Sequence, residues 1–203
     1  NNTIKNLKKK NKKATGFYAN INNENEIKSV CDNLKNQKIN IDILINNAGM
    51  PQGSIFEMTP IKLIKEVFEI NFFSQLKLVQ LLLKSLKQSK DGVIINIGSV
   101  SGLEPLRGNI SYGTSKAALM FSTQILAEEL KNYNIRVNSF APSLTNTNMM
   151  SLMDEKSKKK LMKLSKIEKP YSVNEVAEKI LILASEKFTN INGKIFTMKD
   201  FNG

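Results

Sequence analysis

Tyr112 and Lys116 stand four residues apart in Ser111-Tyr112-Gly113-Thr114-Ser115-Lys116, a spacing that puts both on one face of a helix. A phenol with a pKa near 10 exchanges protons poorly at neutral pH, and a neighbouring ammonium favours the phenolate and lowers that pKa. The pair alone is weak evidence. With 28 Lys among 203 residues, each Tyr has about a 14% chance of a Lys four places on. The tetrapeptide Asn46-Asn47-Ala48-Gly49 is stronger, with about one chance in 150 of arising anywhere in a chain of this composition. A third group, Gly98-Ser99-Val100-Ser101-Gly102, has the outline of a nucleophile elbow, but its central residue is Val rather than Ser. The chain also has no His, which excludes a Ser-His-Asp or Cys-His triad and an imidazole proton shuttle.

Those residues need elements to hold them, and the hydrophobic pattern supplies two alternating periods. Short apolar runs at Ala14 to Ile21, Ile41 to Ile45, Val93 to Ile97, Ile135 to Phe140 and Lys194 to Met198 predict buried parallel strands. Helical periods lie between them. Asn23 to Gln37 puts Ile27, Val30, Cys31 and Leu34 on one face. Thr59-Pro60 reads as an N-cap followed by Pro at the first helical position, opening a helical stretch to Lys87 with a break. Ser111 to Lys131 is a third helix, and Ser172-x-x-Glu175 is a capping box for a fourth that runs to Ser185. The first dozen residues read as the tail of another helix, and Lys156 to Lys169 as a charged helical excursion. This alternation predicts an α/β domain with a parallel sheet. Ligands in such sheets bind beyond the carboxyl ends of the strands, which directs attention to the loops after Ile45, Ile97 and Phe140.

Composition narrows the function classes. The net charge is +12, but only Arg107 and Arg136 are Arg and aromatics make up 7%, so a solvated lysine-rich surface is expected rather than a nucleic-acid interface. The most apolar stretch, Ile70 to Leu86, is broken by Asn71, Lys77, Gln80 and Lys84, and no membrane span is expected. Cys31 stands alone, so no internal disulfide and no cysteine metal cluster can form, and no metal site is expected. A reducing, cytoplasmic setting fits that usage.

Asn46-Asn47-Ala48-Gly49 at a strand end, Ser99 at the next, and Tyr112-x-x-x-Lys116 thirteen residues later together resemble the short-chain dehydrogenase/reductase (SDR) family. The resemblance runs from Ala14 to Gly203 and implies a doubly wound, Rossmann-like parallel sheet. It also implies roles. Tyr112 is the proton donor or acceptor, Lys116 lowers its pKa and binds the nicotinamide ribose, and Ser99 polarises the substrate carbonyl. Asn71 holds a water linking Lys116 to solvent. Asn20 and Ile21 meet the adenine ring, and Asn46, Ala48 and Gly49 line the adenosine ribose. Pro142, Ser143, Thr145 and Thr147 surround the nicotinamide amide and the phosphates. The implied cofactor is NADP or NAD, and hydride transfer belongs to it.

Two departures stand out. The family has Pro-Gly where this chain has Pro142-Ser143, and Ser tolerates positive φ poorly, so the loop is expected to differ in shape. None of the ten glycines forms a trio with the spacing of the pyrophosphate loop. The resemblance therefore implies one NAD(P)-binding domain over 1–203 that lacks its first βαβ portion, roughly 40 residues, and is inactive as it stands.

Within the family, Ile95 to Gly102 and Asn192-Gly193-Lys194-Ile195 resemble the 3-oxoacyl-acyl-carrier-protein reductases of fatty-acid synthesis. That resemblance implies an acidic carrier partner, with Lys90 and Lys131 as candidate contacts. A dehydrogenase of a sugar, polyol or other secondary alcohol is the alternative, and a non-catalytic structural or binding member is a third reading. The substrate loop between Met149 and Lys169 does not decide among them. The resemblance also implies a homodimer or homotetramer through the two long helices, whose Leu76, Leu83, Leu119 and Phe121 serve either that interface or the core.

Overall fold

Six consecutive residues of Gly92–Ile97 (β2) and seven of Ile135–Ala141 (β3) are buried without alternation, the mark of strands covered on both faces. They form the centre of a four-stranded, all-parallel sheet in the order β1-β2-β3-β4, flanked by Ile43–Asn46 (β1) and Ile195–Thr197 (β4). The register pairs Ile45 with Ile95 and Ile95 with Asn138, so the carboxyl ends of β1, β2 and β3 come level. The computed structural model describes residues 2–10, 13–151 and 153–201. Asn1, Asn11 and Lys12 of the expected leading helix, Leu152 of the substrate loop and Gly203 lie outside them.

The chain divides into two units, Asn1–Ile39 and Asn40–Gly203. The first holds helices Asn2–Lys9 (α1) and Glu24–Asn36 (α2), with Ile4 of α1 lying against Gly16. Asn23 caps α2 by accepting from the backbone N–H groups of Asn25 and Glu26. The strand expected over Ala14 to Ile21 is not formed. A strand exists through ladder bonds to a neighbour, and these residues pair with none, while Tyr18 is 99% exposed.

In the second unit the helical stretch after Pro60 runs as Ile61–Phe68 (α3), a π-helical turn at Glu69–Phe73, and Ser74–Leu86 (α4). The expected break is this turn. The helix begins one residue later than expected because the Thr59 hydroxyl turns back to the carbonyls of Ser54 and Ile55 instead of capping it. The long helix Ile110–Leu130 (α5) lays Leu119, Met120, Thr123 and Ala127 inward, and Asn96 of β2 donates to the Thr123 hydroxyl. After the short Asn148–Ser151 (α6), Asp154 caps Glu155–Ser165 (α7). The expected capping box of Ser172 and Glu175 opens Val173–Ala184 (α8). Val93, Ile95 and Ile97 face α8, packing with Phe140 and Leu183, so helices cover both sides of the sheet.

Arg136 ties α8 to the sheet. From β3 its guanidinium donates to the carbonyls of Leu183, Ala184 and Ser185 and lies 3.5 Å from Asp91. These are the carbonyls a helix leaves unpaired at its end. Arg136→Met should destabilise the protein by about 2–4 kcal/mol in denaturant unfolding, since it strands buried acceptors and removes charge-assisted bonds. A loss below about 0.5 kcal/mol would contradict that role.

Candidate active site

Three strand ends and one helix converge. Beyond β1, Asn46 is buried and its side-chain N–H donates to Asn96 Oδ1 at 2.8 Å, joining the chain Asn96 to Thr123 to the Leu119 carbonyl. Beyond β2, Ser99 starts a single 3-10 turn and accepts from the Ser101 backbone at 3.1 Å. That turn presses directly on α5. A Cβ on Gly102 would stand 2.7 Å from the Ala117 nitrogen, and one on Gly113 2.7 Å from the Ser101 carbonyl. Close approach, which only glycine permits, sets the turn of Ser99 against the helix of Tyr112, near enough for the Ser99 side chain to act on the Tyr112 pKa.

Lys116 is 3% exposed, and its ammonium donates to the Ile97 carbonyl at 2.7 Å. It lies 6.0 Å from the centroid of the Tyr112 ring. Burial pushes Lys116 down to about 8. Tyr112 moves the other way from the expectation. Desolvation of its hydroxyl raises its pKa, and the opposing hydrogen bond from Ser99 is the smaller effect. The ammonium is directed at a carbonyl rather than at the phenol oxygen, so burial wins.

Asn71 sits inside the π-helical turn, the kind of insertion that accompanies functional sites. Its amide is held from both ends: Oδ1 accepts from Met50 N at 2.7 Å, and Nδ2 donates to Met50 O and Ser115 Oγ, both at 3.0 Å. The side chain therefore clamps the loop after Gly49 to α5. Gly49 completes the packing, with its Cβ position 3.4 Å from Lys116 Nζ and 3.5 Å from Asn71 Oδ1. Gln75, not anticipated from sequence, donates to Ala48 O and Ile70 O and fastens the same loop.

Beyond β3, Pro142 O accepts from Val100 N at 3.2 Å, which joins this loop to the one bearing Ser99. Ser143 is not in the left-handed region, which among described non-glycine residues is populated by Lys38, Asn134 and Lys166, as expected of a Ser at this place. Its hydroxyl bonds that of Ser165 at the end of α7. Thr145 donates to Ser143 O and bridges Tyr171, whereas the Thr147 hydroxyl makes long, exposed contacts to Thr145 O and Met150 N. Asn20 and Ile21 lie in the amino-terminal unit, where Asn20 Oδ1 accepts from Asn22 and the Asn20 N–H donates to Glu26.

A model of the family described as short chain dehydrogenase matches residues 1–158. The chain belongs to the short chain dehydrogenase family. This family member is 32% identical over 183 residues to the 3-oxoacyl-(acyl-carrier-protein) reductase FabG of Aquifex aeolicus, covering 90% of this chain and 74% of that protein. It is 33% identical over 168 residues to carbonyl reductase family member 4 of Xenopus laevis, covering 83% and 70%. Among solved structures it is similar to 4-hydroxyisoleucine dehydrogenase complexed with NADH and succinate, at 27% identity and a TM-score of 0.84, over 97% of this chain and 82% of that one.

Two further expectations change. Lys90 precedes β2, and Lys131 follows α5 and pairs with Glu128, so both sit at the amino ends of the strands, opposite the site. Leu119 is fully buried in the core whereas Phe121 is 64% exposed, which separates two residues that periodicity could not. Among the described residues no helix is long and apolar enough to cross a membrane, and no group of three His, Cys, Asp or Glu is placed to hold a metal ion.

The Lys116 shift has a measurable sign. Its folded value of about 8 lies below the ordinary 10.5, so the burial penalty is fully present below pH 8 and is relieved as pH rises toward 10.5. Between pH 7 and 10 the parent should gain about 2–3 kcal/mol of unfolding free energy relative to Lys116→Met. Parallel pH curves for the two proteins would contradict the buried ammonium.

Proposed function

We propose that this short chain dehydrogenase reduces a carbonyl compound with a nicotinamide cofactor, NADP or NAD, Tyr112 delivering the proton. The observation that carries the reading is the turn bearing Ser99 packed against the helix bearing Tyr112 at the carboxyl ends of the strands, with Lys116 buried and bonded to the Ile97 carbonyl behind them. Burial keeps Tyr112 protonated through the neutral range, the state a proton donor needs in the reductive direction. Ser99 orients the substrate oxygen toward the same phenol.

The residues fit the nicotinamide-ribose end of such a cofactor. Lys116 has three donors and directs one at Ile97 O, Gly49 leaves the space beside it free of side chain, and the buried Asn46 Oδ1 has no partner. Lys116 would hold the ribose, with Pro142, Ser143, Thr145 and Thr147 beside the amide. When bound, the cofactor supplies the hydride. No glycine trio of pyrophosphate spacing occurs in the 203 residues, so these assignments concern that end alone.

For the substrate, the similarity to two carbonyl reductases, one acting on acyl-carrier thioesters by name, supports a 3-oxoacyl thioester ahead of a sugar or polyol. We also propose a homodimer or homotetramer in which the exposed Phe73, Phe121 and Ile125 of the long helices meet a second copy.

Tyr112→Phe should lower kcat/KM for ketone reduction by about 10²–10⁴, measured with NADH and NADPH in parallel, with unchanged unfolding stability. Full turnover by the variant would overturn the assignment. In the parent, reduction should decline as pH rises through about 8, where Lys116 loses its proton.

A further inference from the structure

A helix leaves the N–H groups of its first turn without partners inside the helix. In α5 these are the amides around Tyr112, the third residue of the helix. Asn109, at the cap position, makes no side-chain bond to them, and the first turn carries no acidic residue. Gly113 N reaches back to Asn109 O at 2.9 Å, which leaves Ser111 N, beside Tyr112, to be met from outside the helix. Gln52 meets it. From the loop after β1, 59 residues earlier, its Oε1 accepts from Ser111 N at 3.2 Å.

The Gln52 amide has one workable orientation. A backbone N–H on the helix side fixes the oxygen there, because a flipped amide would set donor against donor. Nε2 then faces oxygens alone: Ser54 Oγ at 2.9 Å, and Ser54 O and Thr59 Oγ1 at 3.2 Å. Thr59 is buried, its hydroxyl 2.7 Å from that of Ser54, and Ser54 itself bridges Asn109, the residue before α5. Those bonds alone would serve the loop. The bond to Ser111 is the one that reaches the helix. Asn71 meanwhile holds Met50 and donates to Ser115 Oγ, which in turn donates to Tyr112 O at 2.8 Å. The loop thus grips α5 on both sides of Tyr112, at Ser111 through Gln52 and at Ser115 through Asn71.

We infer that Gln52 is a positioning residue: it caps the helix that carries Tyr112 and, through the Ser111 N–H, fixes where the phenol stands relative to Ser99. The cap rests on the hydrogen bonds above, and its effect on turnover rests on the proposed role of Tyr112 as proton donor. A cap borrowed from a distant loop differs from one supplied by the residue before the helix. It makes the first turn of α5 depend on the loop after β1, so whatever holds Gly49 and Met50 also holds the phenol. A small shift of that turn changes the reach of a proton donor without changing how tightly substrate is held. The effect therefore falls on kcat rather than on KM.

Gln52→Met keeps the length of the side chain and removes both ends of its amide. In the full chain, amide exchange at Ser111 should then speed up about tenfold, the worth of one net hydrogen bond. Burial holds the Tyr112 phenol above its ordinary 10.0, and with the first turn loosened its titration, followed by the ring NMR signals, should move down toward that value. For reduction of a 3-oxobutanoyl thioester with NADPH or NADH, kcat should fall about tenfold at a KM within about twofold of the parent. Gln52→Glu still offers an oxygen to Ser111 N, with a charge that suits a helix N-terminus, and should restore Ser111 protection and kcat to within about threefold. Arg136→Met weakens the protein at the opposite end of the sheet and should leave kcat unchanged at a temperature where it is folded, which separates lost stability from lost position. Unchanged Ser111 exchange in Gln52→Met, a phenol titrating as in the parent, an unchanged kcat, no rescue by Gln52→Glu, or an equal kcat loss in Arg136→Met would overturn the inference. A parent that reduces no carbonyl would sink the oxidoreductase reading alone, since the amide and phenol signals need no turnover and still decide this one.

Discussion

An ammonium group held out of water is the constraint around which the rest of this site is arranged. Lys116 is buried where the Ile97 carbonyl accepts from it at the end of β2 and where Gly49 places no side chain against it. Desolvation of a cation is costly, and one hydrogen bond offsets only part of it, as the depressed pKa records. The sheet must therefore deliver Ile97, Gly49 and α5 to one place, and each of the surrounding interactions serves that delivery. The Asn46–Asn96–Thr123 chain ties β1, β2 and α5 together, and Asn71 clamps Met50 to Ser115 on α5.

The π-helical turn at Glu69–Phe73 has a place in this scheme. One extra residue in the helix aims Asn71 inward between the Gly49 loop and α5, and Gln75 then takes up both the Ile70 carbonyl and Ala48. The same helix thus braces the loop twice, from positions four residues apart. Tyr112 and Ser99 complete the arrangement on the other side of Lys116, where Gly102 and Gly113 allow the catalytic turn and α5 to touch.

Much of this could be read from residue order. Asn46 to Gly49, Ser99, Asn71, Tyr112 and Lys116 announced themselves by type and spacing, and β2 and β3 by unbroken apolar runs. What could not be read depends on partners distant in sequence. Ala14 to Ile21 has the composition of a strand, yet strand formation is decided by a neighbour's hydrogen bonds. The direction of the Tyr112 shift turned on where the Lys116 ammonium points, which spacing on a helix does not reveal. Gln75 and Ser165 act across 27 and 22 residues respectively, as polar groups with no motif around them. Ser143 keeps an ordinary φ, as its side chain requires, but that its hydroxyl finds Ser165 could not be read from the sequence.

The central claim is that Lys116 is a desolvated ammonium poised to titrate near neutrality. Its most direct test is the pH titration of the Lys116 side-chain resonances by heteronuclear NMR, assigned by comparison with Lys116→Met. A single transition near pH 8 is the result this account predicts. A transition at the ordinary lysine value of 10.5 would show a solvated side chain and contradict it.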